Sequence, residues 1–257
     1  MKQRIGIFVI AYNAEATLSA TLNRIPASIV GKVDEIFVID DCSTDNTSAV
    51  GRSYGTAPAA DKLTVHRNPT NLMYGGNQKR GYRYALERGL DIVVLLHADG
   101  QYAPEVMQQL LDPLETGQAE MVMGSRMMVR GAARQGGMPL YKYFGNRVLS
   151  TVQNGLLGTR FSEFHSGYRA YSCQALASLD LERLTNRWHF DTQIILEFLA
   201  RGYRIAEVPI PTYYGDEICR VNGIPYAYRC VRTTFQHAWR ARRKSSLALR
   251  TTQRSPE

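Results

Sequence analysis

Short apolar runs alternate along this chain with longer segments of helical period. Ile5 to Ile10, Glu35 to Ile39, Leu63 to His66, Ile92 to Leu96 and Ala119 to Met123 each stop abruptly on polar residues. Runs of this length read as strands buried on both faces of a parallel sheet. Between the first two, Leu18, Leu22, Ile25 and Ile29 fall at i, i+4, i+7 and i+11, which predicts one helix stopped by Gly31. Further helices are predicted from Gly75-Gly76-Asn77 to about Gly89, and over Pro104 to Glu115, Leu140 to Leu157 and Asp191 to Arg201. Val129 to Pro139, rich in Gly and Arg, reads as a mobile loop. Arg204 to Pro211 reads as an edge strand because it carries Pro209 and Pro211. The alternation predicts an α/β, Rossmann-like fold: a mostly parallel central sheet with helices on both faces.

From about Pro225 the pattern changes. Tyr228, Val231, Phe235 and Trp239 are spaced by three and four, and Arg229, Arg232, Gln236, Arg240 and Arg243 follow the same period beside them. This predicts a basic amphipathic C-terminal helix of the kind that lies in a membrane interface. No repeat or linker divides what precedes it, so 1–224 is expected to be one domain with halves 1–127 and 128–224, and 225–257 a helix and tail.

Composition narrows the class. With 257 residues, 44% hydrophobic and 21% charged, the chain can bury a large core. It has no run of eighteen apolar residues, so no spanning helix is expected. Its start lacks the apolar stretch and cleavage site of a signal peptide. Cys42, Cys173, Cys219 and Cys230 show no paired spacing, which predicts free thiols in a reducing cytoplasm and no zinc site. A net charge of +8 favours acidic partners: phosphates, anionic lipid or nucleic acid. Nucleic acid is set aside because no reading motif accompanies the charge. A dinucleotide oxidoreductase is set aside because no G-x-G-x-x-G follows the first strand.

The candidate chemistry sits where strands end, the usual place for ligands in open α/β sheets. After Leu96, His97, Asp99 and Gln101 alternate with small residues. An imidazole, a carboxylate and an amide oxygen so spaced can converge on one divalent cation; a solvated aspartate turn is the other reading. Asp40-Asp41 follows the second strand, and Asp45 reads as a turn or cap residue. A third polar cluster, Glu163-Phe164-His165-Ser166-Gly167-Tyr168-Arg169, lies in the second half.

Six motifs in order carry a resemblance over Ile5 to Gly215: I-A-Y-N-A-E (Ile10 to Glu15), V-I-D-D-C-S-T-D-N-T (Val38 to Thr47), H-A-D-G-Q-Y (His97 to Tyr102), G-S-R (Gly124 to Arg126), H-S-G-Y-R (His165 to Arg169) and E-V-P-I near Glu207. The chain resembles family 2 glycosyltransferases of the GT-A fold, most closely polyprenyl-phosphate sugar transferases such as dolichyl-phosphate mannose synthase. The resemblance implies that 1–127 binds a nucleotide-sugar and 128–224 the acceptor. It implies donor contacts at Ala11, Tyr12, Asn13, Glu15, Asp40, Asp41, His97 and Ala98. It also implies a D-x-D-type site for Mn²⁺ or Mg²⁺ in which Asp99 and Gln101 match family positions. His97 replaces the first aspartate, as ligand or as donor contact. Ile10 and Ala14 also depart from the family's usual Pro and Glu, which loosens the role of Glu15. Arg126 matches an arginine near the reacting groups, suited to a diphosphate or acceptor phosphate. Glu163 and Asp191 are catalytic-base candidates only if the acceptor is a hydroxyl, since a phosphate is already anionic.

The function expected is metal-dependent, inverting transfer of a sugar from a UDP- or GDP-sugar to a polyprenyl phosphate. The enzyme would sit peripherally at the cytoplasmic membrane face, held by the C-terminal basic helix on anionic lipid. The alternatives are transfer to a saccharide, protein or small-molecule hydroxyl, and a non-catalytic nucleotide-sugar-binding protein.

Overall fold

The computed structural model describes residues 2–56, 59–214 and 222–252, with backbone alone at 242 and 244–252. Arg242 and Lys244 of the expected basic cluster, as side chains, and the tail 253–257 therefore lie outside the described residues. Seven strands form one sheet: β1 (Ile5–Ala11), β2 (Glu35–Asp40), β3 (Leu63–Arg67), β4 (Ile92–His97), β5 (Met121–Ser125), β6 (Arg169–Ser172) and β7 (Ile205–Pro209), in the order β3-β2-β1-β4-β6-β5-β7.

The first five apolar runs are strands, as their pattern predicts. Alternate residues of β1 face two separate cores. Ile5, Ile7 and Val9 pack with helices α1 (Leu18–Asn23), α2 (Ala27–Lys32) and α5 (Met107–Glu115). Phe8 and Ile10 pack with α4 (Met73–Glu87), α8 (Cys173–Ala177) and α9 (Phe190–Ala200). Coverage on both faces is why these strands read as unbroken apolar runs. The remaining helices are α3 (Thr47–Arg52), α6 (Ala132–Gln135), α7 (Leu140–Leu157) and α10 (Gly223–Thr252).

Two expectations change. The helix predicted over Leu18 to Ile29 is two, because Pro26 is extended (φ −59°, ψ 142°) and caps α2; Gly31 lies inside α2 and does not end it. Proline has no N–H for the helix ladder, so the break falls there. The stretch Val129 to Pro139 contains the short helix α6. The sheet is mostly parallel, as expected, with β6 antiparallel to both β4 and β5. β7 is the edge strand its prolines predicted.

Two features of this sheet position the site. β1, β2 and β4 end in register, with Ala11 opposite Asp40 and Ile10 opposite His97. The chain runs from β1 outward through β2 and β3, then returns to β4 on the other side of β1. That reversal opens a crevice at the carboxyl ends of β1 and β4.

Candidate active site

The loops after β1 and β2 are clamped together. Asn13 adopts φ 49° and its Oδ1 accepts from the Thr44 N–H at 2.9 Å, while its own N–H donates to Ser43 Oγ. Glu15 accepts from the Asn46 N–H and side-chain amide, both at 3.0 Å, and its N–H donates to Asp45. These bonds hold the Glu15 carboxyl below its ordinary pKa. Glu15 thus joins two loops. Asp45 caps locally, accepting from the Thr47 N–H, as its position predicts. Tyr12 is half exposed on the same rim.

The paired aspartates separate in environment. Asp40 is fully buried and accepts from the Ser43 N–H and from the hydroxyls of Ser43 and Ser48. Asp41 accepts from the Asn68 amide and the Leu72 N–H at 2.9 and 2.8 Å, and burial raises its pKa. Asp40 therefore shapes the loop, and Asp41 ties it to the start of α4. Ala11 and Ala98 are buried, with the Ala98 N–H donating to the Ile10 carbonyl.

At the end of β4 two of the three metal candidates, Asp99 and His97, differ sharply. Asp99 is 44% exposed, and its Oδ1 accepts from the Gln101 N–H at 3.1 Å. The Asp99 Oδ2 lies 3.9 Å from His97 Nδ1. His97 is inside, between the rings of Tyr74 and Tyr102, with Nε2 3.3 Å from the Tyr74 hydroxyl. Burial lowers its pKa against the pull of Asp99 and Asp191, so the ring is neutral at pH 7. A neutral imidazole nitrogen and a carboxylate this close can share one divalent ion. They are only part of a shell: among the described residues no group of three or more His, Cys, Asp or Glu could hold a metal. A donor diphosphate would have to complete the shell.

Asp191 belongs to the same cluster through Tyr74. Its carboxylate accepts from the Tyr74 hydroxyl at 2.9 Å and the Gln78 amide at 3.0 Å, and lies 3.7 Å from Arg169. Arg169 is fully buried and donates to the carbonyls of Ser166, Asp191 and Phe164. Gly167 is required here: a Cβ would come within 2.6 Å of His97 Nε2 and 3.1 Å of the Tyr74 hydroxyl.

Glu163 is also fully buried. Burial alone would raise its pKa, but the Arg126 guanidinium, with Asn146, holds the carboxyl below its ordinary value. Arg126 donates to it through its N–H, Nε and Nη2, and Nη1 reaches the Tyr214 hydroxyl at 3.2 Å. His165 hydrogen-bonds Tyr226 of α10 at 2.9 Å, and burial drops its pKa to about 3.

Sequence reasoning passed over Tyr74, Gln78 and Trp188, which stacks on Tyr74 with ring centroids 4.5 Å apart. Asn77, Gln78 and Lys79 are consecutive polar residues in a helix, and all three are buried. Three in a row span about 200° of a helix and can all face solvent where it packs by one apolar stripe, so no local signal marked them.

A family model for glycosyl transferase family 2 matches residues 6–179. The chain is 30% identical over 210 residues to an undecaprenyl-phosphate mannosyltransferase of Micrococcus luteus, covering 80% of this chain and 82% of the relative. It is 28% identical over 209 residues to the polyprenol monophosphomannose synthase of Mycolicibacterium smegmatis, covering 81% and 77%. It is 29% identical over 222 residues to a UDP-N-acetylglucosamine–dolichyl-phosphate N-acetylglucosaminyltransferase of Methanococcus voltae, covering 82% and 86%. Among solved structures, glucosyl-3-phosphoglycerate synthase of Mycobacterium tuberculosis, in complex with Mn²⁺, UDP and glucosyl-3-phosphoglycerate, superposes with a TM-score of 0.66 at 20% identity. That match covers 92% of this chain and 80% of the other, and at such identity it speaks for the fold alone.

Proposed function

The chain belongs to glycosyl transferase family 2 and is a glycosyltransferase of the GT-A fold; from that premise we propose that it moves a sugar from a nucleotide-sugar to a polyprenyl phosphate. The observation that carries the acceptor is the likeness, over about four fifths of the chain, to relatives named for undecaprenyl, polyprenol and dolichyl phosphate substrates. The state of the carboxylates supports it. Glu163 and Asp191, the two base candidates, are buried and engaged by Arg126, Asn146, Tyr74 and Gln78. An anionic phosphate needs no base, whereas a hydroxyl acceptor would need one of these carboxylates released.

The donor would lie over the crevice between β1 and β4, its nucleoside against Tyr12 and the Asp41 loop. Asp99, with His97 and Gln101 beside it, would hold a Mn²⁺ or Mg²⁺ ion, which supplies charge neutralisation at the departing diphosphate. Neutral His97, fixed by Tyr74, leaves Nδ1 on the Asp99 side. Arg126, locked by Glu163, keeps a positive charge beside Tyr214 and the His165 carbonyl. Attack from the side opposite the leaving group would invert the anomeric centre. A lipid-linked acceptor puts the reaction at a membrane surface, the cytoplasmic one in this reading; among the described residues no helix is long and apolar enough to cross a membrane.

The test is a transfer assay with UDP- and GDP-sugars, undecaprenyl phosphate in detergent, and Mn²⁺ or Mg²⁺ with and without chelator. A chelator-sensitive glycosyl phospholipid is expected. Transfer to saccharide hydroxyls with none to undecaprenyl phosphate would reject the acceptor. Donor binding with no transfer to any acceptor would point to a binding protein.

A further inference from the structure

Helices α7 and α10 lie side by side, joined by the Gln153 amide donating to Thr234 Oγ1 at 3.2 Å. Neither hides its large apolar side chains. On α7, Leu140, Tyr141, Phe144, Val148 and Val152 are exposed, Tyr141 by 73% and Val148 by 64%. They fall within about 120° of the helix circumference, and Leu149, Ser150 and Gln153 on the other side are buried. On α10, Ile224, Tyr228, Phe235 and Trp239 are exposed and fall within about 60°. Past Tyr226, which reaches in to His165, the α10 side chains that are buried are small: Cys230, Thr234 and Ala238. A helix built to face water would turn the tryptophan in and the threonine out, so this one is inverted.

Charge is segregated onto these two segments. Residues 121–162 hold six Lys and Arg and no acidic residue, and residues 218–256 hold nine and none. The other 16 basic residues share the remaining chain with all 23 acidic ones. Along the sequence, the positive excess therefore falls in the two segments that carry the bare apolar faces. On α10, Arg243 stacks over Trp239 at 4.6 Å, and Arg229, Arg232 and Arg240 continue that flank. On α7, Arg147 borders the apolar stripe and, with Arg130, Tyr143 and Met128, lines a cavity of about 440 Å³. Two guanidiniums beside Met127, Met128 and Val129 suit a phosphate headgroup with its first methylenes.

We propose that α7 and α10 together form the surface by which the protein lies on an anionic lipid leaflet, with aromatics at the acyl boundary and arginines among the headgroup phosphates. A second copy of the chain fits this surface poorly, because it would oppose two acid-free basic segments. The surface is argued from exposure and charge, so it stands whichever acceptor the enzyme uses. The α10 stripe was expected from its period; the α7 face is the new half.

Co-sedimentation of the full chain with substrate-free vesicles tests it. The protein should pellet with phosphatidylcholine vesicles containing phosphatidylglycerol, less as salt rises, and weakly with phosphatidylcholine alone. Tyr141→Ser/Phe144→Ser/Val148→Ser in α7 and Phe235→Ser/Trp239→Ser in α10 should each lower vesicle affinity roughly tenfold or more. Circular dichroism melting should match the parent chain. Should either set fail to fold, Arg147→Gln with Arg232→Gln keeps the test, with weaker binding to the anionic vesicles expected. Equal pelleting of parent and variants, or equal binding to neutral and anionic vesicles, would overturn the proposal. So would a parent dimer that the variants convert to monomer with vesicle binding unchanged.

Discussion

The carboxylates of the two halves live in opposite conditions. In the N-terminal half, Asp99 stands at a strand end, 44% exposed, with the Gln101 N–H as its hydrogen-bond donor two residues away. In the C-terminal half, Glu163 is sealed in and held by Arg126, 37 residues earlier, and Asn146. A carboxylate that contributes little to packing is free to meet a ligand, and one that neutralises a buried guanidinium is part of the architecture. Asp99 is thus open to a ligand and Glu163 is built into the fold, although both occupy motif positions.

The largest effect that could break this contrast is at Glu163. Glu163→Gln leaves Arg126 as an uncompensated buried charge and should lower folding stability by about 3–5 kcal/mol, read from denaturant midpoints. An unfolding curve like the parent's would remove the architectural role. Asp99→Asn should do the reverse. Turnover should drop by roughly 10²–10³, about 3–4 kcal/mol of transition-state stabilisation, with melting temperature unchanged. Turnover within about tenfold of the parent would rule out Asp99 as the main ligand.

Gly167→Ala sharpens the boundary between the halves, because it pushes on His97 and Tyr74 at once. The added methyl should cost about 1–3 kcal/mol in stability and change the relative activity with Mg²⁺ and Mn²⁺. An unaltered metal ratio at reduced stability would say that His97 only packs. At neutral pH the smallest effect is at His165, whose pKa falls to about 3 from burial. Its folded pKa lies below the unfolded value, so above about pH 6.5 it has no influence. As pH falls below that, the unfolded chain takes up a proton that the folded chain refuses. Stability should then drop by up to about 1.4 kcal/mol per pH unit towards pH 3. His165→Gln should flatten melting temperature against pH between 6.5 and 5; an identical slope would place the acid sensitivity elsewhere.

The rim of the site was legible because it depends on neighbours in sequence. An apolar run that stops on Asp40 or His97 declares both the strand and the polar group at its end. The start and end of α7, Leu140 and Leu157, are where periodicity placed them. The interruption at Pro26 is legible too, since proline lacks the N–H that the helix ladder needs, although Leu22, Ile25 and Ile29 keep helical spacing across it.

The sequence by itself determined the α/β alternation, the sheet edge at Pro209, the order of motifs and the loop ends on which the chemistry stands. The tertiary structure alone decided that β6 runs antiparallel, and thereby how Arg169 comes to meet Asp191. It alone brought Tyr74 to Asp191 across 117 residues, and turned Cys230 inward while leaving Trp239 outside. The physical reason is that periodicity reports how each residue sits relative to its own element. Which element covers which face, and which charge meets which, depends on strand order and helix docking over long sequence separations, where the alternatives differ only in contacts that exist after the chain has folded.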